Sequence, residues 1–405
     1  MREDWQTVKL EDVCSFKGGG TPAKGNESFW GGHIPWVSPK DMKLQFISNS
    51  QDKITEKAIQ NSSANLLPKD TLLVVVRSSI LARTIPLAIS RSPLTVNQDL
   101  KALLPNPELN VEFLYYALLA DKKNLLSKVT RGATVHRLQS ESLKNLEVTL
   151  PPLPEQERIV SILDKAFEGI DKAIAQTEQN LASARELFES YLNNIFTQKG
   201  EDWVEKKLGD VVRFKGGGTP SKANESFWRG SIPWVSPKDM KLRVISDSQD
   251  KITEDAIQNS SANLLPENTI LIVVRSGILA RTIPLGISSC PLTINQDLKA
   301  LLPNAGLDVQ FLYYTLVANE ENLLSKVTRG ATVHRLQSDS LKNLEVTFPT
   351  SKEVQSAILT RIMKQEQLTA KLEALYTQKL NDLTELKQSL LQQAFAGELT
   401  KEDAA

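Results

Sequence analysis

The sequence predicts a mixed α/β (α+β) fold in which one globular domain occurs twice, each copy followed by a long amphipathic helix. Three observations predict this fold class. They are an internal repeat, a change to helical periodicity after each copy, and both strand and helix patterns inside each copy. The predicted segments are a first domain over 1–150, a helix over 151–200, a second domain over 201–349 and a helix over 350–405.

The internal repeat runs from Phe16 to Val148 and again from Phe214 to Val346 without a gap. Roughly four positions in five are identical, which is more than distant structural repeats usually keep. A unit of about 150 residues is too long for a solenoid repeat and has the size of an independent domain. A recent duplication without functional meaning is the alternative, although two retained copies still present two similar surfaces.

Composition indicates a multidomain protein without membrane or disulfide features. No apolar run approaches the length that crosses a bilayer, and the first ten residues are charged and polar, so we expect a cytoplasmic protein with no membrane partner. The two cysteines, Cys14 and Cys290, are not equivalent in the repeat, which argues against a disulfide or a zinc site. The formal net charge is zero and by itself lowers the expectation of a nucleic-acid partner. Basic residues nevertheless concentrate near the end of each copy.

A long helix is predicted after each copy because apolar residues recur at steps of three and four. The first begins after the proline cluster 151–154 and would be about 60 Å long for about 40 residues. Its apolar seam comprises Ile159, Leu163, Ala166, Ile170, Ala173, Leu181, Ala184, Phe188, Tyr191 and Ile195. The second seam comprises Ile358, Ile362, Leu368, Leu372, Leu375, Leu383, Leu386 and Leu390. Each seam needs a partner, so we expect an antiparallel coiled-coil spacer that relates the halves by a pseudo-two-fold axis. Two solvent-exposed rods are the alternative.

Inside each copy the sequence alternates between strand and helix patterns. Leu72–Val76 is a candidate buried strand, Pro93–Val96 is a second, and Asn110–Leu125 has a helical pattern. Glycine and proline clusters between them predict loops on a small scaffold.

Catalytic and cofactor-binding motifs are missing from the sequence. The glycine-rich segment Lys17–Pro22 lacks the spacing of a phosphate loop or a dinucleotide fold, so a tight turn is favoured over a contact with a DNA phosphate. There is no nucleophile elbow, no His-Glu-x-x-His and no Asn/Asp-Pro-Pro-aromatic segment of an amino-methyltransferase. Neither repeated histidine has a cysteine or an acidic cluster at metal-ligand spacing. The chain is therefore predicted to be non-catalytic and to bind no cofactor or metal.

The strongest functional candidates are polar residues on loops that occur in both copies. Arg, Lys, Asn and Gln side chains read base edges, whereas Ser and Thr suit phosphates. The stretch from Arg131 to Gln139 concentrates such donors without apolar periodicity. Trp36 is more typical of a core residue, and Asn97–Asp99 fits a turn equally well. The predicted DNA-binding residues are Lys40, Lys43, Arg77, Arg83, Lys128, Arg131, Thr134, His136, Arg137 and Gln139, with their counterparts Lys238, Lys241, Arg275, Arg281, Lys326, Arg329, Thr332, His334, Arg335 and Gln337.

The combination resembles the specificity subunits of type I restriction–modification systems (HsdS). One feature is the Lys17–Pro22 segment followed by Phe29-Trp30 and Ile34–Val37. Another is the junction Leu150–Val160 that leads into the helix, which is the most specific of the three. The last is the order domain, helix, domain, helix, so the resemblance spans essentially the whole chain. The second junction, Pro349–Gln355, keeps only a proline, a glutamate and a glutamine of that pattern.

The resemblance implies a function for each part of the chain. In that family each repeated domain is a target-recognition domain that reads one half of a split site on double-stranded DNA. The paired helices set the spacer and dock two modification (methyltransferase) subunits, which bring S-adenosylmethionine and methylate adenine. Restriction subunits join that complex and cut DNA with the use of ATP. None of these cofactors is expected on this chain.

The near-identity of the copies predicts a symmetric target. On a pseudo-two-fold scaffold, two such domains read the same short sequence on opposite strands, so the site is an interrupted palindrome or close to one. Differences that would spoil this symmetry are Gly31/Arg229, His33/Ser231, Gln45/Arg243 and Ser79/Gly277. The alternative from another class is a non-catalytic protein–protein scaffold without direct DNA contact. A stand-alone methyltransferase or nuclease is disfavoured by the missing motifs.

Overall fold

The computed structural model describes residues 5–400, which divide into two compact units. The first unit contains the chain up to Glu178 together with the chain from Gln378 onward, and the second runs from Gln179 to Thr377. Each unit therefore holds one copy of the repeat and one segment of each long helix. No helix within the described range combines the length and the apolar character needed to cross a bilayer.

The first copy is built from short strands and short helices. Its strands are β1 Gln6–Lys9, β2 Cys14–Gly18, β3 Trp30–Val37, β4 Phe46–Ile47, β5 Asp52–Ile54, β6 Leu72–Val75, β7 Arg77–Ser78, β8 Leu87–Ser90, β9 Thr95–Val96, β10 Leu100–Pro105, β11 Val129–Thr130, β12 His136–Leu138 and β13 Glu147–Leu150. Its helices are α1 Leu10–Val13, α2 Glu56–Gln60, α3 Val111–Ala120, α4 Lys122–Ser127 and α5 Ser140–Lys144, with 3₁₀ turns at Glu27–Phe29 and Ser79–Ala82. The long helix α6 Leu153–Thr197 follows.

The second copy repeats this order of elements. Its strands are β14 Trp203–Lys207, β15 Val212–Gly216, β16 Ile232–Val235, β17 Val244–Ile245, β18 Asp250–Ile252, β19 Ile270–Val273, β20 Arg275–Ser276, β21 Leu285–Ser288, β22 Thr293–Ile294, β23 Leu298–Pro303, β24 Val327–Thr328, β25 His334–Leu336 and β26 Glu345–Pro349. Its helices are α7 Leu208–Val211, α8 Glu254–Gln258, α9 Val309–Ala318, α10 Glu320–Ser325 and α11 Ser338–Lys342, with 3₁₀ turns at Glu225–Trp228 and Gly277–Ala280. The long helix α12 Lys352–Phe395 follows.

A five-stranded sheet carries the core of each copy, with the order β2-β10-β6-β8-β4 in the first and β15-β23-β19-β21-β17 in the second. Its middle strand β6 is completely buried, as expected for a continuous apolar run, so the strand predicted at 72–76 is confirmed over Leu72–Val75. Smaller three-stranded sheets flank the core sheet, and one of them, β11-β12-β7, carries the strongest functional candidates. The mixed α/β fold class predicted from the sequence is confirmed.

Two predicted elements need correction. The helix expected over 110–125 is two helices, because Asp121 leaves helical geometry between α3 and α4 and its carboxylate accepts a hydrogen bond from Asn124 at 3.0 Å. A short polar side chain that hydrogen-bonds to a nearby residue is a common cause of a helix break of this kind.

The strand expected over 93–96 is shorter and begins only at Thr95.

A buried glutamine side chain connects the start of each long helix to its own copy. The Gln156 amide oxygen accepts the Asn110 backbone N–H at 2.8 Å, and its amide nitrogen donates to the backbone carbonyls of Glu108 and Pro151. Gln355 makes the same three bonds at the second junction, to Asp308, Gly306 and Pro349. The second junction therefore keeps this anchor although it departs from the family's sequence pattern.

The two long helices contact each other within each unit. In the first unit Asp171 of α6 accepts a hydrogen bond from Lys387 of α12, and Glu155 near the start of α6 accepts one from Thr400, which follows the end of α12. Because rising numbers on one helix meet falling numbers on the other, the segments run antiparallel. In the second unit Arg185 donates to Glu373 at 2.9 Å. The predicted contact between the long helices is confirmed.

The predicted apolar seam of α12 is wrong in part. Leu368, Leu372, Leu375 and Leu386 were expected to pack, but they are 46%, 40%, 65% and 46% exposed. Ile362 is buried as predicted, and the polar Thr369, which is not part of the predicted seam, is buried as well. Steps of three and four describe any apolar face of a helix, so periodicity alone does not tell a packed face from an exposed one.

The two copies differ where they meet their helices. In the second copy the Arg243 guanidinium donates to Tyr314 at 2.6 Å, to Glu366 of α12 at 2.7 Å and to Gln310 at 2.9 Å. The first copy has Gln45 at this position, and the amide nitrogen of that side chain is buried without a hydrogen-bond partner. The Gln45/Arg243 difference therefore changes the attachment of the domain to the helix.

Candidate nucleic-acid interface

The strongest candidate stretch forms a β-hairpin in each copy. Strands β11 and β12 pair antiparallel, and the five residues between them, 131–135, are all exposed. Gly132 is required in this loop, because a Cβ atom there would lie 2.4 Å from the Val135 carbonyl oxygen. Gly330 meets the Val333 carbonyl oxygen at the same distance in the second copy. The hairpin thus holds Arg131 and Thr134 on a narrow exposed loop.

An arginine pair lies at the base of this hairpin. Strand β12 pairs with β7 in a register that places Arg137 directly opposite Arg77. Like charges directly opposite each other destabilise an antiparallel pair, so this arrangement has a cost that needs compensation. Asp99 supplies the compensation because its carboxylate forms an ion pair with the Arg77 guanidinium. Arg335, Arg275 and Asp297 form the same arrangement in the second copy.

The Asn97–Asp99 segment holds the acidic partner in place. The Asn97 side chain donates to the Asp99 carboxylate at 3.0 Å and accepts the Asp99 backbone N–H at 3.0 Å. The Arg77 backbone N–H also donates to the Asp99 carbonyl oxygen, at 3.2 Å. This segment is therefore a turn, as one interpretation of the sequence had it, and this turn also orients an arginine.

An open groove of about 410 Å³ lies along this face of the first copy. It brings together three of the predicted residues, Arg77, Thr134 and Arg137. It also adds Ser79 and Val135, which were not among the predicted site residues. The complete lining is Pro39, Arg77, Ser78, Ser79, Asp99, Thr134, Val135 and Arg137. The register of β12 against β7 explains part of this grouping, because it places Arg137 opposite Arg77 where the hairpin loop and the 3₁₀ turn begin.

The positive charge on this face is largely uncompensated. Arg83, Arg131 and Arg137 are exposed, and within residues 5–400 none of them forms an ion pair. Gln139 is also exposed, and Lys128 is half-buried at the C-terminal end of α4. The equivalents Arg281, Arg329, Arg335, Gln337 and Lys326 have the same exposure in the second copy. Free guanidinium groups of this kind attract an anionic partner.

The repeated histidine has an unusual environment. His136 lies on β12 opposite Ser78 and is half-buried, and its Nδ1 atom is buried without a hydrogen-bond partner. His334 has the same unpartnered Nδ1 in the second copy. A buried polar atom left unpaired costs free energy, so this histidine is not explained by the stability of the domain.

The lysines of the earlier loop form a separate group. Lys40 follows Pro39 of the groove, and its ammonium donates to Asp52 at 2.7 Å, a hydrogen bond that raises the pKa of Lys40. Lys238 makes the equivalent bond to Asp250 at 2.8 Å. Lys43 and Lys241 are exposed. The charge of Lys40 and Lys238 is therefore partly compensated, unlike that of the hairpin arginines.

Two other sequence features are structural. Trp36 is buried, and its indole N–H donates to the Gly20 carbonyl oxygen at 2.9 Å, so it is a core residue. The Gly20 backbone N–H donates to the Val96 carbonyl oxygen at 3.0 Å, and a Cβ atom on Gly19 would lie 2.2 Å from that same oxygen. The glycine-rich segment therefore packs its backbone against the end of β9, as a tight turn does.

No group of three or more His, Cys, Asp or Glu residues within the described range is placed to hold a metal ion. Both cysteines are free thiols. Cys14 lies in the core, where burial raises the pKa of its thiol to about 12. Cys290 is half-buried, and its thiol donates to the Ser246 carbonyl oxygen.

The arginine pair leads to a testable prediction about stability. Asp99→Asn removes the negative charge beside Arg77, so two uncompensated arginines then face each other. We expect the free energy of unfolding to fall by about 1–3 kcal/mol in denaturant titrations. Arg137→Ala in the same chain removes the repulsion and recovers part of that loss, which a double-mutant cycle measures. Strictly additive losses would contradict this account of the pair.

Comparison with known proteins identifies the family. The sequence model of the type I restriction modification DNA specificity domain matches residues 2–181 and 200–385. The chain is 27% identical over 365 residues to the type I restriction enzyme MjaIX specificity subunit of Methanocaldococcus jannaschii, with 86% of this chain and 83% of that protein covered. It is 33% identical over 256 residues to the EcoR124I/EcoR124II specificity subunit of Escherichia coli, with 61% of each chain covered.

Solved structures share the fold over nearly the whole length. One similar chain comes from a structural study of complex assembly and conformational transition in the type I R-M system. It superimposes on this chain with a TM-score of 0.80 at 18% identity and covers 98% of this chain and 99% of that one. The HsdS subunit from Thermoanaerobacter tengcongensis gives a TM-score of 0.58 at 19% identity, with 98% of each chain covered. The resemblance noted from the sequence is thus confirmed. The chain belongs to the type I restriction–modification DNA specificity family, as a specificity subunit, a non-catalytic component of such a complex.

Proposed function

We propose that each copy reads one half of a split site on double-stranded DNA through the face formed by its hairpin and groove. The observation that carries this proposal is the set of exposed, unpaired guanidinium groups at Arg83, Arg131 and Arg137, repeated at the equivalent positions of the second copy. Arginine binds phosphates and also guanine edges, while Gln139 and Thr134 add donors and acceptors for bases or backbone. A DNA-reading subunit works where the chromosome is, which is the cytoplasm of a prokaryotic cell.

We further propose that the two half-sites have the same sequence. All ten predicted DNA-binding residues of the first copy are identical in the second. Of the four differences noted above, only Ser79/Gly277 falls on the groove. Arg243 is engaged with Tyr314 and Glu366, and the side chain of Arg229 pairs with Glu225 at 2.7 Å. The expected target is therefore an interrupted palindrome, with any departure at the base that faces position 79 or 277.

The long helices are proposed to set the spacer and to dock two modification subunits. Leu368, Leu372 and Leu375 form an exposed apolar stripe at helical spacing on α12, and such a stripe needs a partner. The partner subunits would supply S-adenosylmethionine and the methyl transfer, and restriction subunits would join through them. This chain would contribute recognition and geometry without binding a cofactor itself.

Methylation mapping tests the symmetry of the site. Sequencing that detects methylated adenine across the host genome should return one motif whose two halves are reverse complements or differ at a single base. The same motif reports the spacer length. Two unrelated half-sites would contradict the proposed symmetry but would leave DNA reading itself intact.

Substitution of the hairpin arginines tests DNA reading. Arg131→Ala combined with Arg329→Ala should weaken binding to a duplex that carries the mapped site and should reduce the slope of log K against log salt by about 2. Lys24→Ala combined with Lys222→Ala is the matched control, because it removes the same charge from repeated exposed positions outside the proposed face. If the arginine variant binds like the control, the protein–protein scaffold is favoured.

Substitution on the apolar stripe tests docking. Leu372→Lys combined with Leu375→Lys should lower the amount of modification subunit that co-purifies with the chain, because charge replaces exposed apolar contact area. Ala370→Lys is the control, since this exposed residue lies about 200° around the helix from Leu372. Thermal unfolding should not change in either variant. Undiminished co-purification would show that the subunits bind elsewhere.

A further inference from the structure

The two copies carry different net charges although their proposed reading residues are identical. Between Phe16 and Val148 there are 17 Lys and Arg against 11 Asp and Glu, a net charge of +6. Between Phe214 and Val346 there are 14 against 13, a net charge of +1. A difference of five charges between aligned domains changes the attraction of each for a polyanion.

Part of this difference lies beside the proposed reading face. Helix α4 of the first copy begins with Lys122 and Lys123, whereas the equivalent α10 begins with Glu320 and Glu321. Each of these helices leads directly into the hairpin of its copy, β11–β12 in the first and β24–β25 in the second. A helix of six residues is about 9 Å long, so the lysines lie roughly one Debye length from Lys128 at physiological salt.

The contacts of Glu320 show which residues the start of α10 touches. Its carboxylate accepts the Thr282 hydroxyl at 2.6 Å and the Ile283 backbone N–H at 2.8 Å. Thr282 follows Arg281 directly, so the start of α10 lies against the segment that carries a predicted DNA-binding arginine. In the first copy, helix α4 and the 3₁₀ turn Ser79–Ala82 occupy the equivalent positions. Lys122 therefore lies beside the segment of Arg83 and Thr84.

The lysines of the first copy lack a compensating partner. Within residues 5–400 neither Lys122 nor Lys123 forms an ion pair. Cations in the first turn of a helix oppose its dipole, whereas the acids of α10 favour it. Burial also lowers the pKa of Lys122, so its environment disfavours the charge. These lysines therefore do not stabilise the domain in an evident way, and an anionic partner outside the chain would explain them.

Resting on the proposed function, we propose that Arg83, Lys122 and Lys123 form a phosphate-contacting surface at the edge of the first reading face. The second copy lacks this surface because Glu320 and Glu321 lie beside Arg281. Two half-sites of equal sequence are then bound unequally, and the first copy holds its half more tightly. DNA backbone is the partner that fits, because closely spaced free cations match a regular run of phosphates.

The first test compares the two copies within one full chain assembled with its modification subunits. One reading face is disabled at a time, by Arg131→Ala with Arg137→Ala or by Arg329→Ala with Arg335→Ala, so that the affinity left on a fluorescent duplex carrying the mapped site is that of the other copy. Loss of the first hairpin should weaken binding roughly tenfold more than loss of the second. Equal losses would overturn the inequality alone, whereas no loss in either variant would overturn DNA reading itself.

The second test reverses the charge of the two lysines at the start of α4. Lys122→Glu combined with Lys123→Glu should weaken binding roughly tenfold and reduce the salt slope by about 2. Lys57→Asp combined with Lys69→Glu is the matched control, because it makes the same change in net charge at exposed positions where the second copy already carries acids. Unchanged thermal unfolding shows that both variants fold.

The outcomes of this exchange decide the proposal. A small loss of affinity in the control, together with a large loss in the Lys122→Glu, Lys123→Glu variant, supports a local phosphate contact. Equal effects would mean that only the net charge of the domain matters, which overturns the proposed surface. In the opposite direction, Glu321→Lys adds a cation at the equivalent exposed position and should strengthen binding. No gain in affinity from that variant would also count against the proposal.

Discussion

The geometry of this protein depends on one buried side chain at the junction of each domain and its helix. Gln156 and Gln355 are completely buried, and each uses its amide to satisfy one backbone N–H and two backbone carbonyls. A buried amide with these three bonds tolerates little displacement, since each bond lost leaves a polar group unpaired at a cost of about 1–3 kcal/mol. The orientation of a domain relative to its own helix start is therefore set by hydrogen bonds rather than by apolar contact alone.

The proposed reading face contains a pair of like charges in both copies. Arg137 faces Arg77 across paired strands, and the repulsion is tolerated because Asp99 neutralises one of the two guanidinium groups. The other guanidinium stays free for a partner. The loop glycine and the unpartnered histidine nitrogen add further local costs in both copies. Features that reduce stability in this way are expected where a surface is selected for recognition.

The sequence predicted the architecture better than it predicted the details of the site. The repeat, the fold class and the long helices in contact followed from identity and periodicity, which are properties of the chain alone. The role of Asp99 did not, because it depends on a sheet register that joins residues 22 positions apart. The packing of α12 also needed the structure, since Leu368 and Leu372 have seam spacing yet remain exposed. The domain bounds and the individual DNA contacts remain predictions.

The contacts of Arg243 bear on recombination within a gene that encodes two nearly identical domains. Such stretches recombine, and an exchange that put the first copy in the second position would replace Arg243 by glutamine and Gln310 by glutamate. Glu366 of α12 would then lose its cation, while the incoming glutamate would keep the partner that Glu112 has in the first copy, Arg91. An exchange of copies would therefore change the contact between domain and helix, even if both domains read the same bases.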